Sequence, residues 1–175
     1  MYENSFPKKR YEHTLTFLEH YITEDERIRD LGVDNPFSQI LRDKGFQVAN
    51  TTGEDLDLEF GAVQNDDFEV VTALEIFEHL VSPFNVLQQI KKGKLIASVP
   101  LKLWFASAYR SKTDQWDRHY HEFEDWQFDW LVEKAGFEII RRDKWKSGGK
   151  WIGFRPVLRN FYNRYYIIEA VRKKA

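Results

Sequence analysis

The chain contains no cysteine. That excludes disulfides, thiolate metal ligands and cysteine nucleophiles, and it matches a reducing compartment. No apolar run approaches the ~20 residues that a membrane-spanning helix needs. The opening Met1-Tyr-Glu-Asn-Ser-Phe-Pro-Lys-Lys-Arg10 lacks the apolar core of a signal peptide. Nothing repeats, and nothing is low in complexity. These absences predict a cytoplasmic globular protein with no membrane partner. At 175 residues, 42% of them hydrophobic, one domain spanning 1–175 is long enough to bury a sizeable core.

The net charge of −2 conceals two blocks of opposite sign. From Glu54 to His79 there are nine acids and no Lys or Arg, whereas Arg141 to Ala175 holds eleven Lys/Arg against Asp143 and Glu169. One reading is a pair of solvated faces that attract each other. The other is an acidic cleft suited to a cationic ligand, beside a basic, aromatic lip over 144–163 that receives an anionic substrate. Within and beside that lip, Lys144, Lys146, Lys150, Arg155, Arg159 and Arg164 alternate with Trp145, Trp151, Phe154, Tyr162 and Tyr165. Such mixing also occurs in single-strand nucleic-acid sites, and exposed basic side chains also protect sheet edges. The acidic overall balance favours a phosphorylated or nucleotide-linked small molecule over nucleic acid.

Hydrophobic periodicity supplies the elements. Leu15, Leu18 and Ile22 fall at helical spacing in an N-terminal segment over 1–25. Arg27–Leu31 reads as a strand, Phe37–Lys44 as a helix closed by Gly45, and Phe46–Ala49 as a strand. Leu56, Leu58 and Phe60 alternate, predicting one short further strand, because Asn50–Asp66 is too brief for a full crossover. Phe68–Ala73 and Leu95–Val99 read as strands, the apolar run Val70–Leu74 and its partner matching strands buried on both faces. Pro83–Lys92 joins them as a helix, with proline suited to its first turn. The segment 101–121 is polar, aromatic and irregular, a covering loop. Glu122–Lys134 is a helix, Phe137–Ile140 a strand, Pro156–Phe161 a short helix and Tyr165–Val171 a last strand. This alternation predicts a Rossmann-like three-layer α/β/α sandwich. In such a sheet ligands bind at the carboxyl ends of the strands.

Several segments together resemble class I S-adenosylmethionine (SAM)-dependent methyltransferases, most of all the small-molecule subgroup that includes ubiquinone-biosynthesis O-methyltransferases. Arg29-Asp-Leu-Gly32 resembles the first strand and the start of the glycine-rich loop. Phe68-Glu-Val-Val-Thr-Ala-Leu-Glu-Ile-Phe-Glu-His-Leu80 is similar to the fourth strand with its E-x-x-E-H-L continuation, and Lys94-Leu-Ile-Ala-Ser-Val-Pro100 to the fifth. His119-Tyr-His-Glu-Phe123 and Trp130-Leu-Val-Glu-Lys-Ala-Gly-Phe137 resemble the segment before the sixth. The resemblance implies a mostly parallel seven-stranded sheet with an antiparallel C-terminal strand, here with a shortened third strand, and SAM as cofactor. It places Asp30, Gly32, Asp34, Thr52, Asp55, Leu56, Leu74 and Glu75 around that cofactor. Trp104, Tyr109 and Arg155 would approach the substrate, and His79 and His121 would carry catalysis.

The glycine-rich loop is degenerate. Asp34 and Pro36 stand where the family has its second and third glycines, used for close backbone approach and positive φ. Asp34 either attracts the cofactor's cationic groups or, with Asn35, caps the next helix. The family's ribose-binding acid would fall near Thr52, with Glu54 and Asp55 as the nearest carboxylates. Glu75, Glu78 and His79 share one face if helical, and comparable residues hold a divalent metal in quinone-pathway relatives. The alternative is that His79 caps or orients the loop after this strand. His119 and His121 would share a face if extended. They serve as base or substrate ligands, or cap the following helix. No metal site is expected, because a third clear ligand beside these histidines is wanting. Two functions follow: methyl transfer to an oxygen or nitrogen of a small molecule, or, given the altered loop, a catalytically inactive methyltransferase-fold binding or scaffold protein.

Overall fold

The computed structural model describes residues 8–64, 67–148 and 151–173. Residues 1–7 of the expected N-terminal segment, and Lys150 of the basic lip, lie outside these. The elements are α1 (Lys8–Tyr21), β1 (Arg27–Asp30), α2 (Pro36–Asp43), β2 (Gln47–Asn50), α3 (Gly61–Gln64), β3 (Val70–Leu74), a 3₁₀ turn at Phe77–His79, α4 (Pro83–Gln89), β4 (Lys94–Pro100), α5 (Asp125–Lys134), β5 (Phe137–Trp145), α6 (Phe154–Leu158) and β6 (Tyr165–Arg172).

The strands form one sheet in the order β2-β1-β3-β4-β6-β5. β1 to β4 run parallel, while β6 lies antiparallel between β4 and β5. The period of two along each strand divides the core. Val71, Ala73, Leu95, Ala97 and Val99 face a cluster with Val86 and Leu87 of α4 and Phe128 and Val132 of α5. Val70 and Ile96 face the opposite cluster with Phe17 and Leu18 of α1 and Phe37 and Leu41 of α2. Helices therefore cover both sides, and each fully buried aliphatic side chain contributes about 1.5–3 kcal/mol. Among the described residues no helix is long and apolar enough to cross a membrane.

Among the described residues the sheet has six strands, not seven. The alternating Leu56-Asp-Leu-Glu-Phe60 forms a turn, in which Leu58 and Glu59 amides both donate to the Asp55 carbonyl at 2.9 and 2.7 Å. Two aspartates cause it. The Asp55 carboxylate accepts from the Asp57 amide at 3.0 Å, an Asx turn that competes with strand pairing. The Asp57 carboxylate accepts from the Val81 and Ser82 amides, both at 2.8 Å, and so caps α4. Among the described residues of this stretch only the one-turn α3 then precedes β3, and they form no third strand. β5, conversely, continues to Trp145, beyond the predicted Ile140, because all of β6 is available to pair with it.

Candidate active site

From β1 the chain moves outward to β2, and from β3 it moves the other way to β4, so a crevice opens between the carboxyl ends of β1 and β3. A cavity of about 490 Å³ lies there, within the ~300–1,000 Å³ usual for small-molecule sites. Its wall combines the ends of β1, β3 and β4 with α1 (Arg10, Tyr11, Thr14), the covering segment (Tyr109, Asp117, His119) and the start of β6 (Arg164, Tyr165).

Glu75 follows β3 with φ of 59°, a left-handed conformation costing on the order of 1–3 kcal/mol for a non-glycine residue. That turn brings its carboxylate inward, where it accepts from Ser98 Oγ at 3.0 Å and from Arg10 Nη1 at 3.4 Å. The Glu75 carboxyl is raised above the usual range, first by burial, against which Arg10 and Ser98 pull down. Glu78, one turn on, is 1% exposed. Its carboxyl is raised well above the usual range by burial and then by the Glu75 charge. Glu78 Oε2 is buried without a hydrogen-bond partner among the described residues, a state with a substantial desolvation cost.

His79 Nδ1 lies 3.0 Å from the Arg118 carbonyl. A carbonyl only accepts, so Nδ1 carries a proton and donates it to this bond. Nε2 sits 3.7 Å from Glu78 Oε1. His119 meets His79 edge to face at 4.7 Å and is covered by Tyr109 at 4.6 Å, whose hydroxyl donates to Asp117. Burial, and then the charges of His79 and Arg164, lower the His119 pKa to about 4, so its imidazole is neutral at pH 7. Glu78, His79 and His119 offer ligand atoms all within 4.8 Å of one another. The fold thereby supplies the third donor that the sequence alone left wanting beside the histidines.

His121 is directed elsewhere. Its Nε2 lies 3.3 Å from the Val81 carbonyl and its ring stacks on Phe123. The Tyr120 and His121 amides both donate to the Glu78 carbonyl, at 2.8 and 3.2 Å. That turn breaks the extended geometry under which His119 and His121 would share a face.

Of the other predicted positions, Asp30, Gly32, Leu74, Glu75, His79 and Tyr109 line the cavity. The Asp30 carboxylate is turned between strands, accepting from Thr72 Oγ1 at 2.6 Å and Asn50 Nδ2 at 3.0 Å, and burial raises its pKa to about 6. Asn35, not Asp34, caps α2, accepting from the Phe37 and Ser38 amides. Asp34 instead pairs with Arg42 at 2.7 Å, and Arg42 also donates to Asn50 Oδ1 at 2.8 Å. Thr52 bonds Glu54, Asp55 is spent on its turn, and Leu56 is buried in the core; none of the three lines the cavity. Trp104 is 66% exposed, against Phe105 and Tyr162. Arg155 is exposed on α6, and Arg164 occupies the cavity wall in its stead.

The residues present fit the aminoacyl half of SAM better than the adenosine half. Buried carboxylates suit its ammonium and sulfonium charges. At Gly32 an added Cβ would come 3.6 Å from Ile76 Cδ1, so backbone is exposed where a ligand approaches. At the end of β2 the Asn50 carboxamide holds Asp30, the Gly32 carbonyl and Ser38 together, and Thr52, near which the ribose-binding acid was expected, bonds Glu54 instead.

No family model matches the sequence, and neither does any curated protein. Solved structures do match. An Archaeoglobus fulgidus SAM-dependent methyltransferase superposes with a TM-score of 0.65 at 11% identity, covering 96% of this chain and 95% of that one. A Mesorhizobium loti SAM-dependent methyltransferase gives 0.62 at 13% identity, over 90% and 96%. This chain has the SAM-dependent methyltransferase fold. The Burkholderia thailandensis 1,6-didemethyltoxoflavin-N1-methyltransferase, solved with bound 1,6-didemethyltoxoflavin and S-adenosylhomocysteine, scores 0.62 at 12% identity over 99% and 81%. In this fold the described cavity occupies the crevice at the sheet's reversal point.

Proposed function

We propose that the chain transfers a methyl group from SAM to an oxygen or nitrogen of a small molecule. The observation that carries this reading is the cavity at the carboxyl ends of β1, β3 and β4, with Glu75, Glu78, His79 and His119 in its wall. The narrower likeness to the small-molecule subgroup that includes ubiquinone-biosynthesis O-methyltransferases rests on the sequence segments taken together, the E-x-x-E-H-L stretch among them. Gly32, Leu74, Glu75 and Asp30 would hold the cofactor, which supplies a methyl on a positively charged sulfur. Arg10 and Ser98 fix the Glu75 carboxylate, and Tyr109 with Asp117 fixes His119. His79 Nε2, its tautomer set by Arg118, accepts the proton that the acceptor loses as its lone pair attacks the methyl carbon and the carbon–sulfur bond breaks.

Thermal unfolding tests the cofactor. Ligand at about 100 times its Kd is expected to raise Tm by about 5–10 °C. Gly32→Ala meets only ordinary contacts and should melt within a degree or so of wild type, while its affinity for S-adenosylhomocysteine falls about tenfold or more. Absence of any shift at millimolar SAM or S-adenosylhomocysteine rejects the enzyme and leaves the inactive binding or scaffold protein, the reading that the Asn50–Arg42 network supports.

A second reading is favoured by the partnerless Glu78 Oε2: a divalent cation held by Glu78, His79 and His119. Bound there, it supplies a Lewis acid that acidifies an acceptor hydroxyl. Calorimetry of the metal-free protein with Mn²⁺ or Zn²⁺ is expected to show one site, with affinity reduced about 10–100-fold in His119→Ala. Equal binding by wild type and variant removes the metal.

A further inference from the structure

A second cavity, of about 320 Å³, adjoins the first. Lys8, Lys9 and Arg10 from the start of α1 face Trp145, Lys146 and Ser147 from the end of β5 across it. Four cations line it, and no acid among the described residues does. The amino-terminal end of α1, a 14-residue helix, adds its own positive end to the same space. Trp145 is 5% exposed, stacked between His13 at 5.4 Å and Tyr165 at 5.5 Å. Among the described residues its indole nitrogen is buried without a hydrogen-bond partner. An indole N–H only donates, and buried donors in native proteins are nearly always satisfied. A donor awaiting an acceptor beside three lysine ammonium groups is the chemistry of an anion site. Arg10 and Tyr165 belong to both cavities, so an anion here sits one side chain away from the Glu75–His79 cluster.

We propose that this side pocket binds the phosphoryl group of a phosphorylated methyl acceptor, holding the rest of that molecule toward the central cavity. The acceptor role rests on the methyl-transfer reading, whereas the phosphoryl site itself does not. The lysines act as point charges on the oxygens, and the indole supplies the directional donor. The cluster also repels itself when empty, so an anion both binds and relieves that repulsion.

Inorganic phosphate is the probe, titrated into the cofactor-free full chain at constant ionic strength while the six tryptophan indole ¹H–¹⁵N signals are followed. The Trp145 signal is identified by its loss in Trp145→Phe. It is expected to shift saturably at millimolar phosphate, with the other indoles nearly still. Lys9→Gln and Lys146→Gln, both exposed positions, should each weaken binding about three- to tenfold, and phosphate affinity should fall with added salt. If Trp145→Phe does not fold, calorimetric phosphate binding by wild type against the Lys9→Gln/Lys146→Gln double variant decides the same question. A Trp145 signal that does not move, or binding unchanged in the double variant, overturns the site. Because no SAM or turnover enters the measurement, its failure leaves methyl transfer standing, and failure of SAM binding leaves the phosphate result standing.

Discussion

Glu78→Gln is expected to melt higher than wild type at pH 7.5 and to lose at least about 100-fold in turnover. The carboxyl is buried, one oxygen has no partner, and the Glu75 carboxylate stands beside it. A carboxyl raised in the folded state binds its proton more tightly there than in the unfolded chain, whose value is near 4.5. Folding is therefore unpenalised by this group below pH ~4.5, and stability is lost as pH climbs from there through the raised folded value. Glutamine keeps the shape and removes the charge, so the gain is on the order of 1–2 kcal/mol, or about 2–8 °C. The advantage of Glu78→Gln should shrink toward zero as the pH of the melt falls to ~4.5. If a divalent cation binds as the second reading holds, adding it should reverse the order, stabilising only wild type. A variant that is less stable than wild type at neutral pH without metal would show that the ionised Glu78 is well compensated, contrary to its surroundings described above.

Phe128→Ala should be the most damaging single truncation of the core. Phe128 is fully buried on α5, with Phe123 at 5.2 Å, Phe77 at 5.9 Å and Tyr166 at 6.3 Å between ring centres. Deleting such a ring costs about 3–5 kcal/mol, or about 6–20 °C of Tm for a chain of this length. Its reach extends to function, because Phe77 opens the 3₁₀ turn that carries Glu78 and His79. Phe77→Ala combined with Phe128→Ala should cost less than the sum of the two, since the second deletion enlarges a cavity already made. Additive losses in chemical denaturation would show that the two rings pack independently.

The parts that were legible in the sequence share one property: their structure depends on near neighbours. Val70–Leu74 and Leu95–Val99 are continuous apolar runs because both faces of a central parallel strand are covered. Pro83 and Gly93 bound a helix by their own backbone chemistry, and Glu75, Glu78 and His79 follow directly from the end of β3. The misread third strand shows the opposite. Leu56, Leu58 and Phe60 alternate, yet Leu58 is 76% exposed, because Asp55 and Asp57 spend their carboxylates on amides near and far. The sequence offers His119 and His121 alike, and the choice between them is made by a carbonyl at Glu78 some forty residues earlier. Arg10 and Arg164 reach the cavity from the two outer parts of the sequence. Arg155 was named on the strength of the same basic stretch, and no local pattern distinguishes it from Arg164. Only the order of the sheet does.

That order has a consequence for how the molecule is made. β5 cannot join the sheet until β6 has been laid beside β4, since β6 separates them. As the ribosome delivers the chain from its amino end, β1 to β4 can assemble early, but β5 must wait with its edge unsatisfied until Arg172 has left the exit tunnel. Arg164, at the threshold of the last strand, reaches the wall of the cavity in that same closing step. The pocket thus gains Arg164 only once β6 is made, and a chain halted earlier would hold the acids of the crevice with Arg10 beside Glu75 but without the second arginine of the wall.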